Sequence, residues 1–129
     1  LIDVPFVSLG ETLSGEGGGL FSSACAPAED NYQQYYIHAE GPALEITVLN
    51  ASHMSFLDNP NCGITCSVCT SGTDDTDMTR ALAQRYMTAF FQTTLYEHRG
   101  YLGYLTGAAM DTDEADGYVT YVSKNGFGN

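Results

Sequence analysis

The chain has 129 residues, of which 43% are hydrophobic, a content typical of one globular domain and too high for a disordered segment. The chain has 16 acidic and 4 basic residues, so the net charge is −12 when the histidines are neutral. An acidic surface repels nucleic-acid phosphates, and no apolar run approaches the roughly 20 residues of a membrane-spanning helix. We therefore expect no nucleic-acid partner and no membrane span.

The first half of the chain predicts a strand, a helix and a second strand. Residues 2–9 are mostly apolar and end at Gly10, which is typical of a strand covered on both faces, as in a parallel sheet. After a glycine- and serine-rich loop, Pro27 and Gly41 mark the start and the end of a predicted helix. Residues 43–49 alternate apolar and polar side chains, which indicates a strand with one wetter face near a sheet edge.

The second half predicts one long helix and a candidate final strand. From about Asp75 to His98, apolar residues recur with a helical period of about 3.6 residues. The acidic stretch at residues 111–117 is interpreted as a solvated turn, because its spacing does not fit a calcium-binding EF-hand loop. Residues 118–125 alternate again, which is typical of a strand.

This order of elements is the alternation of an α/β fold. Two or three strands do not close a parallel sheet, because the first strand needs a neighbour on each side. We therefore expect an incomplete part of a larger doubly wound α/β domain, with other polypeptide covering the first strand.

Five stretches between Val4 and Leu105 carry a family resemblance: "VPFVSLGETLSG", "CAPAEDNYQQYY", "SHMSFLDN", the cysteine-rich loop after it, and "RALAQRYMTAFFQTTL". Together they resemble the C-terminal part of α/β-hydrolases of the chlorophyllase group, related to dienelactone hydrolase. The resemblance implies a C-terminal segment of an α/β-hydrolase parallel sheet at residues 1–106, with an acidic turn and a terminal strand or tail at residues 107–129. It also implies hydrolysis of carboxylic esters; chlorophyllases cut the ester that joins phytol to the pigment.

By this resemblance, His53 is the general base of a Ser-His-acid triad, since the family's histidine lies in this loop. A loop at the strand ends can present an imidazole to a serine, and a structural loop histidine is the alternative. Glu11 and Glu16 follow the first strand and are the candidate acids, with solvated loop carboxylates as the alternative. The nucleophile motif G-x-S-x-G is absent from the chain.

The chain would therefore carry the triad histidine without its serine and be inactive alone. The resemblance implies an ester substrate, no cofactor, and a partner that is the N-terminal portion of the same hydrolase as a second chain. The alternative is a non-catalytic fragment that forms homo-oligomers or filaments through exposed strand edges at residues 2–9 or 43–49.

Four cysteines remain: Cys25, and a cluster formed by Cys62, Cys66 and Cys69. They allow two disulfides in three pairings, or zinc bound through C-x2-C. A zinc ribbon needs a second C-x2-C, so we favour disulfides, no metal, and an extracellular or other oxidising compartment, with a plastid as the alternative. A link from Cys25 to the cluster would tie the first loop to the His53 loop, whereas a link within the cluster would brace only its own loop.

Overall fold

Three strands form one sheet within residues 2–16, 24–59 and 69–128, which are the residues that the computed structural model describes. The strands and helices of this part of the chain are β1 Phe6–Glu11, α1 Tyr32–His38, β2 Ala43–Val48, α2 Thr76–Thr94, α3 Gly103–Thr106, α4 Ala108–Ala115 and β3 Val119–Lys124. The sheet order is β1, β2, β3; β1 and β2 are parallel, and β3 is antiparallel to β2. The sequence predicted a parallel sheet, and the observed sheet is a small mixed one with helices, compatible with part of an α/β fold.

β2 is the central strand of this sheet, not an edge strand as its alternating pattern suggested. Leu44, Ile46 and Val48 are buried in the core. The polar residues point to the other face, where the Thr47 Oγ1 atom lies 2.7 Å from the Tyr32 hydroxyl of α1. Because β2 is paired on both sides, assembly through an edge at residues 43–49 is ruled out, and β1 and β3 form the outer edges of the described sheet.

β1 begins later than predicted and continues past Gly10 to Glu11. Gly10 does not end the strand. Instead it leaves room for the ring of Tyr32, which occupies the space where a Cβ atom at Gly10 would lie. The extension matters for function, because it makes Glu11 the residue at the carboxyl end of β1.

α2 packs on the core face of the sheet. It begins after the N-cap Asp75, as predicted, and buries Leu82, Tyr86 and Ala89. It ends at Thr94, before the predicted end at His98. The buried apolar cluster that joins it to the sheet consists of Leu44, Ile46, Val48, Ala51, Leu82, Tyr86, Ala89, Leu105, Met110, Val119 and Phe127.

The acidic stretch forms helix α4, so the prediction of a solvated turn there is wrong. Asp113 is buried, accepts a hydrogen bond of 2.7 Å from the Tyr86 hydroxyl, and pairs with Arg85. These α2 partners stabilise a carboxylate that burial would otherwise disfavour. Gly117, with a φ of 77°, follows the helix, and the predicted final strand is present as β3.

Candidate functional site

Glu11 and His53 meet at the edge of the sheet where β1 and β2 end. Glu11 is the last residue of β1 and lies opposite Val48, the last residue of β2. His53 follows shortly after β2 and begins a short 3₁₀ turn, His53–Phe56. The Nδ1 atom of His53 lies 3.8 Å from the Oε1 atom of Glu11, so parallel strand pairing brings together two of the residues singled out by sequence.

The two side chains of this pair differ strongly in their exposure. The side chain of Glu11 is 7% exposed, whereas that of His53 is 60% exposed. Burial raises the pKa of Glu11, while the positive charge of His53 and a backbone hydrogen bond of Glu11 lower it. The arrangement is therefore a buried acid covered by a histidine that solvent, or another molecule, can reach.

Glu16 has a different environment from Glu11. It is exposed, and its backbone N–H donates a hydrogen bond of 3.2 Å to the carbonyl oxygen of Leu13. Among the residues that the structure describes, His53 forms its ion pair with Glu11, and Glu16 forms none. The geometry therefore favours Glu11 over Glu16 as the partner of His53.

Hydrogen bonds join the loops that follow β1 and β2. The N–H of Leu13 donates to the carbonyl of the buried Ala51 at 3.2 Å, and the N–H of Asn50 donates to the Thr12 Oγ1 atom at 2.9 Å. Asn50 adopts a φ of 60°, a left-handed conformation that asparagine tolerates better than most residues. These bonds fix the residues before His53 relative to the residues after Glu11.

The other side of the His53 loop contacts the start of α2. The Ser55 hydroxyl donates to the Oδ1 atom of Asp74 at 2.8 Å, and the Thr79 hydroxyl donates to Oδ2 of the same carboxylate at 2.5 Å. The Arg80 guanidinium donates to the carbonyl of Leu57 at 2.9 Å. Sequence reasoning missed Asp74; its only signal was an acidic residue before a helix, which identifies no partner.

A disulfide joins Cys25 to Cys69, with a Cα–Cα distance of 5.5 Å and a sequence separation of 44 residues. This confirms the prediction of a disulfide. Of the two alternatives, it is the one in which Cys25 is linked to the cluster. Cys62 and Cys66 lie outside the described residues. The bond connects the segment before α1 to the segment that enters α2, and it is consistent with an oxidising compartment.

The described residues do not supply His53 with a serine partner. Ser14, Ser52 and Ser55 are buried, and no hydrogen bond connects their hydroxyls to His53 within residues 2–16, 24–59 and 69–128. The Ser55 hydroxyl is already engaged with Asp74. Among the described residues, the site thus contains an acid and a histidine in contact, without a serine hydrogen-bonded to the histidine.

Strands of an α/β sheet that carry reactive side chains at their carboxyl ends are the usual site of chemistry in this class of protein. The sequence profile of the chlorophyllase family matches residues 1–110, and the chain belongs to that family. Membership suggests an esterase-like hydrolase. No curated protein and no solved structure matches the chain. None of the helices in the described part of the chain has the length and hydrophobicity to cross a membrane.

Proposed function

We propose that this chain provides the general base and its acid partner for a serine carboxylic-ester hydrolase, and that the N-terminal portion of the same hydrolase provides the serine. The observation that carries this proposal is the contact of 3.8 Å between Glu11 and His53 at the carboxyl ends of β1 and β2. In a Ser-His-acid triad, the acid faces Nδ1 of the imidazole and the serine faces Nε2. Here Glu11 faces Nδ1, which leaves Nε2 for the serine.

The reaction follows from that orientation. The serine oxygen attacks the ester carbonyl carbon while His53 takes the hydroxyl proton, and the resulting imidazolium lies beside Glu11. His53 then gives the proton to the departing alcohol, leaving an acyl-enzyme. Water attacks the acyl carbon as His53 again accepts a proton. The bond to the serine oxygen then breaks, His53 returns the proton to that oxygen, and the carboxylic acid is released.

The burial of Glu11 supports its assignment as the acid. A charge interacts more strongly with its neighbour where water is excluded, so a buried carboxylate stabilises an adjacent imidazolium better than a solvated one. At 3.8 Å the contact is too long for a direct hydrogen bond, and it is an ion pair when His53 is protonated. Such contacts often tighten when the substrate and all catalytic groups are present.

Family membership supports the remaining parts of the proposal. The substrate is a carboxylic ester of the kind that chlorophyllases cleave, and no cofactor takes part. Residues 1–106 form the hydrolase segment, and residues 107–129 add α4 and β3 to the same sheet and core. The partner is the N-terminal portion of the same hydrolase, pairing along the outer edge of β1. The compartment is extracellular or otherwise oxidising, which permits the Cys25–Cys69 disulfide, with a plastid as the alternative.

The test is to produce the chain together with an N-terminal segment of a chlorophyllase-family enzyme that carries G-x-S-x-G, here called the two-chain enzyme. We expect the two-chain enzyme to hydrolyse p-nitrophenyl butyrate and either chain alone to be inactive. His53→Ala should lower kcat by about 10⁴-fold or more, and Glu11→Gln by a smaller factor. His98→Ala is the matched control, because His98 is an exposed histidine that contacts Gln92. Full activity of the two-chain enzyme with His53→Ala would overturn the proposal.

The outer edge of β1 also favours a second function, assembly of identical copies. Within the described residues β1 is paired only with β2, and an edge strand can pair with the same strand of another copy. Sedimentation of the purified chain separates the two proposals. A chain that forms homo-oligomers, and that the N-terminal segment does not convert into a two-chain enzyme, would support the structural function.

A further inference from the structure

The carboxylate of Asp74 links the His53 loop to helix α2. One oxygen accepts from the Ser55 hydroxyl at 2.8 Å and the other accepts from the Thr79 hydroxyl at 2.5 Å. Ser55 and Thr79 are both buried, so each hydroxyl has little access to water. Asp74 is therefore the shared acceptor of two elements that are far apart in the sequence: the 3₁₀ turn that begins with His53 and the first turn of α2.

The hydroxyl of Ser55 has a defined direction in this network. Its oxygen accepts a hydrogen bond of 3.0 Å from the backbone N–H of Ser52, and its proton goes to Asp74. Ser52 is the residue directly before His53, and the Ser55 N–H donates to the Ser52 carbonyl at 2.9 Å. Without Asp74 the buried hydroxyl would lose the acceptor at 2.8 Å, leaving the Ser52 hydroxyl oxygen at 3.4 Å as a longer and weaker alternative.

Gly72 shows how closely the chain is packed around the Asp74 carboxylate. A Cβ atom at Gly72 would overlap the Asp74 carboxylate and would lie 2.9 Å from the Ser55 hydroxyl and 3.0 Å from the carbonyl of Asn50. The N–H of Thr73 also donates to that carbonyl at 3.0 Å. The segment before α2 is thus packed directly against the His53 loop, so a movement of Asp74 is transmitted to that loop.

We propose that Asp74 is a positioning residue for the proposed catalytic reaction: through Ser55 and Ser52 it holds the His53 imidazole against Glu11. This inference rests on the proposed function for its catalytic consequence, since Asp74 does not itself touch the reacting atoms. The hydrogen bonds of the Leu13–Ala51 and Asn50–Thr12 pairs fix the loop from the β1 side, and Asp74 fixes it from the α2 side.

The first test measures the contact between Glu11 and His53 without any need for activity. In the chain itself, the pKa of Glu11 is determined by carbon NMR of its carboxyl group, with His53 present and in His53→Gln. The difference reports the contact, because the positive charge of His53 lowers the pKa of Glu11. We expect Asp74→Ala to reduce this difference to roughly half or less, as the two side chains separate.

Two further variants control for a general loss of stability. Asp75→Ala removes the α2 N-cap, which accepts from the N–H groups of Asp77 and Met78, but leaves the bond to Ser55 intact. This variant should leave the effect of His53 on the pKa of Glu11 unchanged. Ser55→Ala removes the same link as Asp74→Ala while leaving the Asp74–Thr79 bond, and it should reproduce the reduced difference even if Asp74→Ala does not fold.

The second test uses the two-chain enzyme. Asp74→Ala should lower kcat for p-nitrophenyl butyrate by about 10-fold to 100-fold with KM nearly unchanged, and Asp74→Asn, which keeps one acceptor oxygen, should restore part of it. An unchanged Glu11–His53 difference in both Asp74→Ala and Ser55→Ala would overturn the inference. If the two-chain enzyme is inactive, the proposed function fails, while the NMR measurement still decides whether Asp74 holds His53 in place.

Discussion

Glu11 and His53 follow different strands, yet the Oε1 atom of Glu11 lies 3.8 Å from the Nδ1 atom of His53. The contact exists because β1 and β2 are parallel and end side by side, with Glu11 opposite Val48. It pairs a buried carboxyl group with an exposed imidazole, and this difference in burial gives the contact measurable consequences for the stability of the chain at different pH values.

Glu11→Gln should stabilise the chain more at neutral pH than at acidic pH. Burial raises the pKa of Glu11 above its ordinary value of 4.5, so the folded chain binds this proton more tightly than the unfolded chain. The stability that comes from the bound proton is complete below the unfolded pKa and is lost as pH rises through the folded pKa. Urea unfolding of both forms between about pH 4 and pH 7 should show a free-energy difference that grows in favour of Glu11→Gln.

The matched control for this experiment is Glu16→Gln, because Glu16 is exposed and lies in the loop that follows β1. The account is contradicted if the free-energy difference between Glu11→Gln and the wild type shrinks as the pH rises toward neutrality. That result would mean that the folded state prefers the charged form of Glu11.

Loss of the Cys25–Cys69 disulfide should destabilise the chain substantially. The bond closes a loop with a sequence separation of 44 residues, and loops of this length contribute about 2–4 kcal/mol by restricting the unfolded state. The double variant Cys25→Ser with Cys69→Ser should lose about that much free energy of unfolding in a denaturant titration. Equal stability of the double variant and the wild type would show that the bond does not brace the folded chain.

Gly72→Ala should disturb the His53 loop, because Gly72 lies against the Asp74 carboxylate. The added Cβ atom would displace the Asp74 carboxylate from Ser55. We expect a loss of about 1–3 kcal/mol of unfolding free energy and a weaker influence of His53 on the pKa of Glu11. Gly100→Ala is the control, since nothing lies within 4 Å of a Cβ atom there. Similar results for the two alanine variants would argue against the tight packing around Asp74.

Tyr86→Phe should destabilise the contact between α2 and α4. Tyr86 is fully buried, and its hydroxyl donates a hydrogen bond of 2.7 Å to the buried Asp113. Losing a hydrogen bond to a charged group should cost about 1.5–3 kcal/mol in thermal or chemical unfolding. Tyr121→Phe is the control, because its similar bond of 2.8 Å to Asp111 is exposed. Equal losses in the two variants would show that burial adds nothing to the Tyr86 contact.

Local patterns in the sequence were sufficient to predict most of the regular structure. The helical period and the acidic residues predicted α2 from its N-cap at Asp75, because amphipathicity and capping act within a few residues. The central position of β2 was not predictable. Its polar residue Thr47 suggested an exposed face, whereas it binds the hydroxyl of Tyr32, a contact that depends on how α1 packs.

The candidate site was predicted only in part, because its contacts join residues that are far apart in the sequence. His53 and Glu11 were singled out from a family resemblance and from their positions near strand ends, but their contact depends on the parallel pairing of β1 and β2. The sequence indicated Asp74 only as an acidic residue before a helix, and Asp113 as part of a solvated turn. Their partners, Ser55 and Tyr86, lie in distant parts of the sequence, so no local pattern identifies them.

The most direct test of the central claim is the rate at which a fluorophosphonate probe labels the serine of the two-chain enzyme. This reaction needs the serine to lose its proton, so it reports the general base without ester turnover or product release. The account predicts rapid labelling with His53 present and labelling slowed by at least about 10³-fold with His53→Ala. Labelling at the same rate in both forms would contradict the assignment of His53 as the base.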